Sequence, residues 1–316
     1  MKTFLSAVVL LMLTTLIPAC KKDKGGNSLG STTDTIFTSF IKLTDFVPTG
    51  HSLLVMDYHS PSKNLYFYMK KSGAKGYFTM QLNTETKQAL TVFSFDDGKW
   101  ANSNGSEGQR IRIFGHDLYV MGGATNTDFH RLTGMGNNTL TLSKVIKMPL
   151  NSGTTYPHWG ESYDVAVADK LYVMTMRSKI CYGHLNDLSS PGSFAVNNGS
   201  HGASIAYASK DGNAYMLSKS EYDSKIEVRN PLNGNFLRAV TISANNRTTI
   251  SKDSKDRIYL LDNNKIIRYS PDLLTKEEFI VKKAETYYQF AIAEETNHIR
   301  IYQNSHDEIK TIKLPL

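Results

Sequence analysis

The feature that most constrains this chain is a phrase that it keeps repeating: a polar turn, an apolar residue, an aromatic, and then a short apolar run. It reads "SKNLYFYM" around Tyr66, "GHDLYVMG" around Tyr119, "ADKLYVMT" around Tyr172, "DGNAYMLS" around Tyr215 and "KDRIYLLD" around Tyr259. A further copy, "TNHIRIYQ", carries Arg300 at the aromatic position. Successive copies stand 53, 53, 43, 44 and 41 residues apart, a period that fits a unit of four short strands. Each copy is preceded by a β-rich run: "SLLVMDY", "RIRIFG", "SYDVAVA", "SIAYAS", "RTTIS" and "YQFAIAE". Each is followed by another, such as "GYFTMQL" or "KIIRYS", and usually by a fourth, such as "QALTVFSF", "TLTLSKVIKM" or "NFLRAVTI". Runs of β-branched and aromatic residues bounded by Gly, Asn, Asp and Lys predict strands and turns, and no segment sustains helical spacing.

Four strands per unit in six units predict an all-β chain folded as a six-bladed β-propeller over 35–316. The last unit supplies three strands, "QFAIA", "HIRIYQ" and "EIKTIKL", which leaves one sheet edge open. The segment "TIFTSFIKL", from Thr35 to Leu43, is a strand without a hairpin partner. Pairing it into the last blade satisfies both and latches the ring. In such a ring the second strand of each blade packs against both neighbouring blades, so the repeated letters "LYVM" at Leu118 and Leu171 are expected to be core. The repeated tyrosines are then packing residues whose hydroxyls reach a polar rim.

The N-terminal residues have a different character. Met1 and Lys2 precede an apolar run from Phe4 to Ile17 that closes in "LIPAC". Such a run is too short for a stable membrane span and reads as a secretory signal over 1–19. Ile17, Pro18 and Ala19 before Cys20 resemble the lipobox of bacterial lipoproteins, which implies a lipidated Cys20. The chain has two cysteines, Cys20 and Cys181, so no disulfide framework competes for the first. The polar, glycine-rich "KKDKGGNSLGSTTD" completes a tether over 20–34. Signal, tether and blade pattern together resemble the six-bladed propeller lipoproteins of the Bacteroidetes, and "LYVMGG" resembles one kelch repeat. The resemblance implies a cell-envelope protein whose partner is the membrane, through its lipid. Lys21, Lys22 and Lys24 stand where surface-exported lipoproteins of that phylum carry acidic residues, so the expected position is the periplasmic face of the outer membrane.

A search for reaction chemistry is mostly negative. No "HExxH", "GxxxxGK", "GxSxG" or "CxxC" pattern is present, and no cofactor is expected. Cys181 and His184 are three apart on a predicted strand, which places them on opposite faces, and Cys181 reads as a buried small hydrophobe. A net charge of +7 is scattered through the blades and not gathered into a stripe, so no nucleic-acid partner is expected.

One constellation remains. The residues leading into the innermost strand of each unit are His51, Arg110, His158 with Trp159, His201, Arg247 and Tyr288. On a propeller these positions ring one mouth of the central channel. Such a rim could hold a glycan, a polyanion or an envelope protein, with bidentate hydrogen bonds from Arg and stacking on Trp or Tyr. The primary reading is therefore a non-catalytic binding protein, with a role as an accessory to nutrient uptake as its expected setting. The alternative is an enzyme: the ring resembles that of propeller polysaccharide lyases, in which clustered histidines hold a metal beside an acidic sugar. That resemblance implies His51, His158 and His201 as ligands.

Replacing Cys20 with Ser should release the protein from membranes into the soluble fraction. A variant that stays in the membrane pellet after a carbonate wash would overturn the lipid anchor.

Overall fold

In the computed structural model the described residues are 32–34, 37–71, 76–95, 110–121, 128–147, 162–167, 170–175, 179–184, 187–195, 201–207, 212–219, 224–230, 233–243, 248–262, 264–281, 289–303 and 307–314. Cys20 and the run from Phe4 to Ile17 lie outside them. Among the described residues no helix is long and apolar enough to cross a membrane.

Two N-terminal strands, β1 (Thr32–Asp34) and β2 (Phe37–Lys42), precede the repeats. The first repeat supplies β3 (His51–His59), β4 (Asn64–Lys71), β5 (Tyr77–Asn83) and β6 (Ala89–Phe95). The second supplies β7 (Arg110–Phe114), β8 (Asp117–Met121), β9 (Asp128–Thr133) and β10 (Thr141–Lys147). The third supplies β11 (Ser162–Val167), β12 (Lys170–Thr175), β13 (Lys179–His184) and β14 (Asp187–Ala195). The fourth supplies β15 (His201–Tyr207), β16 (Ala214–Lys219), β17 (Ser224–Arg229) and β18 (Phe236–Ile242). Next come β19 (Thr249–Lys252), β20 (Ile258–Asp262), β21 (Lys265–Tyr269) and β22 (Lys276–Ile280). The last three are β23 (Gln289–Ala293), β24 (His298–Gln303) and β25 (Glu308–Lys313).

Each repeat forms its own antiparallel meander. Among the described residues there are five sheets of four strands and one of five. The innermost strands touch in the cyclic order β3, β7, β11, β15, β19, β23 and back to β3, which is a β-propeller. The three strands of the last repeat gain a fourth from the N-terminus: β2 pairs antiparallel with β25, Ile41 opposite Ile309. Ile41 and Leu43 then bury their side chains in the core between the last sheet and the first. The five-stranded sheet arises because β1 runs parallel to β22, Thr33 opposite Phe279. Thr32–Asp34, read from sequence as the end of the tether, is thus strand.

The core lies between sheets, and the second strands show why the repeat exists. In β4, Leu65, Tyr66, Phe67, Tyr68 and Met69 are all 0% exposed. Because side chains alternate along a strand, Leu65, Phe67 and Met69 face the last sheet, while Tyr66 and Tyr68 face the second. Full burial of such a side chain is worth about 1.5–3 kcal/mol. The first "LYVM" obeys the same demand, with Leu118, Tyr119 and Val120 all buried.

The tyrosine hydroxyls do a specific job. Tyr66 Oη accepts a hydrogen bond from the Gly136 amide, 2.8 Å away, in the β9–β10 turn of the next sheet. Gly136 sits at φ +90°, and a Cβ there would also meet Ser62 at 3.3 Å, so this turn needs glycine. Tyr215 Oη donates to the Pro271 carbonyl, 2.5 Å away, in the β21–β22 turn of the next sheet. Tyr259 instead bonds within its own sheet, to Asp253 Oδ2 at 3.0 Å. Arg300 repeats the inter-sheet pattern across the closure, its Nη2 lying 3.4 Å from Thr84 Oγ1 in the β5–β6 turn.

A chain beginning at Thr44 loses β1, β2 and the burial of Ile41 and Leu43, about 3–6 kcal/mol in side-chain terms alone. It should melt on the order of 10 °C below a chain beginning at Thr32, measured by calorimetry. Equal melting temperatures would show that β2 adds no stability.

Candidate functional site

The mouth residues are fixed by where each innermost strand begins. His51, Arg110 and His201 are the first residues of β3, β7 and β15, paired with Lys71, Met121 and Lys219 in the adjoining strands. They therefore start three innermost strands at the same end of the ring. The His51 ring nitrogen Nδ1 lies 2.9 Å from the Pro48 carbonyl, and the ring packs edge-on against Phe78 with centroids 5.1 Å apart. The half-buried imidazole is thus held on two sides. His158, Trp159, Arg247 and Tyr288 lie outside the described residues.

Below the mouth is a charged group that the sequence reading passed over. Arg112 on β7 grips Asp164 on β11 with two nitrogens, Nε to Oδ1 at 2.8 Å and Nη2 to Oδ2 at 2.5 Å. The same Nη2 donates to the Ile250 carbonyl at 3.2 Å. Ile250 belongs to β19, which stands across the ring from β7. One guanidinium thus ties three sheets together across the channel. Asp57 on β3 joins from the other side: its Oδ2 accepts the Ile113 amide of β7 and its Oδ1 the Tyr58 amide, both at 2.8 Å.

Register explains why these two charges fit. The innermost-strand residues paired with the repeat position are Asp57, Arg112, Ala166, Ala206, Ser251 and Ala291, opposite Tyr66, Tyr119, Tyr172, Tyr215, Tyr259 and Arg300. Four small residues at one level leave room for two long charged ones. Aligning the units one strand earlier than the repeated tyrosine would have exposed this pattern.

The electrostatics follow from burial. Asp164 is fully buried; Arg112 supplies its charge partner and two hydrogen bonds, and the Val165 amide donates another to Oδ1 at 2.9 Å. Burial pushes the Arg112 guanidinium down, but Asp164 outweighs it, so the net shift is upward and the arginine stays charged. Burial pushes the Asp57 carboxyl up to about 6, against the opposing pull of Arg112 and of the two amide hydrogen bonds. Removing one partner of a buried ion pair costs more than the pair itself contributes, because a charge is left in a low-dielectric site. The cluster therefore acts as a cross-brace.

Among the described residues no group of three or more His, Cys, Asp or Glu side chains is placed to hold a metal ion. Of the three histidines considered as metal ligands, His158 lies outside the described residues. The strands that carry the other two, β3 and β15, stand opposite each other in the ring. Shared ligation at roughly 2.0–2.1 Å would require their side chains to meet across the channel.

No protein-family model and no curated protein sequence matches this chain. Solved structures do. The chain is similar to virginiamycin B lyase from Staphylococcus aureus at 14% identity, with 82% of this chain and 80% of that chain covered and a TM-score of 0.54. A chain of the mitotic checkpoint complex matches at 10% identity over 92% and 95%, with a TM-score of 0.57. A luciferin-regenerating enzyme matches at 9% identity over 87% and 95%, with a TM-score of 0.54. At these identities the likeness is one of fold.

Asp57 gives the cross-brace a pH signature. Its folded value of about 6 lies above the ordinary 3.8, so its stabilising contribution is full below about pH 4 and is lost as pH rises through 6. Asp57→Asn is neutral at every pH. The stability difference between the two proteins should move toward the variant by roughly 2–3 kcal/mol from pH 4 to pH 7, as read by urea melts. A difference that stays constant over that range would mean that Asp57 titrates normally.

Proposed function

We propose that the five-stranded sheet counts as a blade beside the five four-stranded ones, giving a six-bladed propeller, and that this propeller serves as a non-catalytic binding module. In this reading the chain is a lipoprotein of the Bacteroidetes type, anchored through Cys20 at the periplasmic face of the outer membrane. Its mouth, ringed by His51, Arg110, His158, Trp159, His201, Arg247 and Tyr288, receives a glycan, a polyanion or an envelope protein. The observation that carries the reading is the bridge from Arg112 to Asp164 and Ile250. It braces the channel from within, so a ligand entering by the mouth would rest on it and not pass through.

The chemistry of such a mouth is recognition of negative charge and ring faces. Arg110 and Arg247 would supply donor forks suited to carboxylate or sulfate groups, and Trp159 and Tyr288 would supply stacking surfaces. An envelope protein that presents acidic glycans for uptake is the role this set fits best. The competing reading is a metal-assisted lyase on the same fold, with His51, His158 and His201 as ligands. Virginiamycin B lyase shows that a lyase can share the architecture, but the opposed strands of His51 and His201 count against one shared metal.

A glycan and polyanion array, run with and without divalent metal, separates the two. The binding reading expects acidic glycans to be retained, with affinity that falls as salt rises, because exposed charges are screened over about 8–10 Å. Replacing Arg110 and Arg247 together with Ala should weaken binding at least tenfold, while Trp159→Ala weakens it with the salt dependence intact. The enzyme reading expects glycan cleavage that chelation abolishes. Retention of nothing on the array, with or without metal, would overturn the glycan reading and leave a protein partner.

A further inference from the structure

At the opposite end of the sheets from the mouth, a cavity of about 210 Å³ lies at the seam where the last sheet meets the first. Tyr58, which lines it, is seven residues beyond His51 on β3, roughly 23 Å along the strand. The cavity is lined by Lys63, Thr84, Lys87, His298 and Arg300 among others. It is smaller than the roughly 300–1,000 Å³ of drug-sized sites, so its occupant must be small.

Arg300 is the residue to explain. It stands where the other five repeats have tyrosine, it is only 8% exposed, and among the described residues it forms no ion pair. Its guanidinium lies over the Tyr58 ring with Cζ 4.0 Å from the centroid, which stabilises the charge through the ring face. A ring face leaves the in-plane N–H donors unanswered. Nη2 has one long bond, to Thr84 Oγ1 at 3.4 Å. Nη1 is buried with no partner among the described residues, a condition that native structures rarely tolerate without cause.

The carboxylates nearby do not answer it. Glu295 accepts from Tyr58 Oη at 2.6 Å and Ser60 Oγ at 2.5 Å and pairs with Lys63 at 3.3 Å. Burial pushes its carboxyl up, but these hydrogen bonds outweigh burial and hold it below its ordinary value, so it is committed as an anion. Glu85 is exposed on the β5–β6 turn, as is Lys87, whose Nζ donates to the Thr84 carbonyl at 2.7 Å and keeps two further N–H donors. Lys87, on that same turn, is lowered by burial and then by Arg300, the response of one cation brought near another. His298 is likewise lowered, by burial first and then by Arg300 and Lys313. The cavity gathers positive charge beyond what its own carboxylates balance.

We propose that this cavity binds a small oxyanion, a carboxylate or phosphate group, on Arg300 with help from Lys87. An oxyanion presents the paired acceptors that a planar guanidinium matches, which a lysine at this position would not. Its bonds would join β24 to the β5–β6 turn, so the ligand would reinforce the seam that closes the ring. The site is distinct from the mouth and does not rest on the function proposed there.

The test is titration calorimetry on the full chain with inorganic phosphate and, separately, with glucuronate, at about 150 mM salt. One of the two should bind with a stoichiometry of one, and which one does so identifies the class. Arg300→Tyr restores the residue of the other repeats; it should weaken binding more than tenfold, and Lys87→Ala should weaken it about threefold. The mouth variant, with Arg110 and Arg247 both replaced by Ala, removes the acidic-sugar site proposed above, and in it the Arg300-dependent isotherm should remain. Binding of neither anion, equal binding by Arg300→Tyr, or loss in the mouth variant instead would each overturn the site. If Arg300→Tyr fails to fold, Arg300→Lys, which keeps the charge but not the fork, serves instead: weakened binding supports the proposal and unchanged binding overturns it.

Discussion

A strand buried on both faces has no solvent side on which to place a polar atom, and in β4 five consecutive residues, Leu65 to Met69, meet that condition. Such a strand can exist only between two sheets that each supply a cover. Each sheet therefore needs a neighbour on either side, and the series ends only by closing on itself. The cost of leaving it open would fall on β23 and β3, whose contact completes the ring. The N-terminal segment is drawn into the last sheet for the same reason. The side chains of Ile41 and Leu43 fill core that β25 alone would leave exposed.

Most of the architecture was legible because it is periodic. The repeated tyrosine, replaced by Arg300 in the last unit, marks the second strand, and the runs around it fall on the strands observed, from "SLLVMDY" in β3 to "NFLRAVTI" in β18. The strand expected over Thr35 to Leu43 is present as β2 and pairs where the missing partner lies. What the pattern could not convey was β1: Thr32–Asp34 has polar letters that read as tether, and its pairing with β22 is made by backbone atoms, which leave no trace in side-chain chemistry.

The site was less legible, and the reason is physical. The mouth residues were chosen by position alone; of them His51, Arg110 and His201 begin their strands. The Asp57, Arg112 and Asp164 cluster was missed because its meaning depends on sheets 52 residues apart in sequence meeting in space, as Arg112 and Asp164 do. A charge in an otherwise apolar stretch of strand is the local signal of such a cross-brace. It becomes readable once the units are aligned and the other four show Ala or Ser at that level. Arg300 shows the converse: its departure from the repeat was visible in sequence, but only the fold reveals that it falls at the closure, with a donor left over.

The two N-terminal strands also set how the molecule would respond to mechanical load. If the chain hangs from a lipid at Cys20, tension enters at Thr32, on the outer edge of one sheet, and passes to β2 on the outer edge of the next. β1 holds its neighbour through three paired residues and β2 through a longer register anchored by Ile41. The short parallel pair would yield first and lengthen the leash, while the longer antiparallel pair keeps the ring shut. The chain thus carries a weak link in series with a strong one, and the weak one stands nearer the N-terminus.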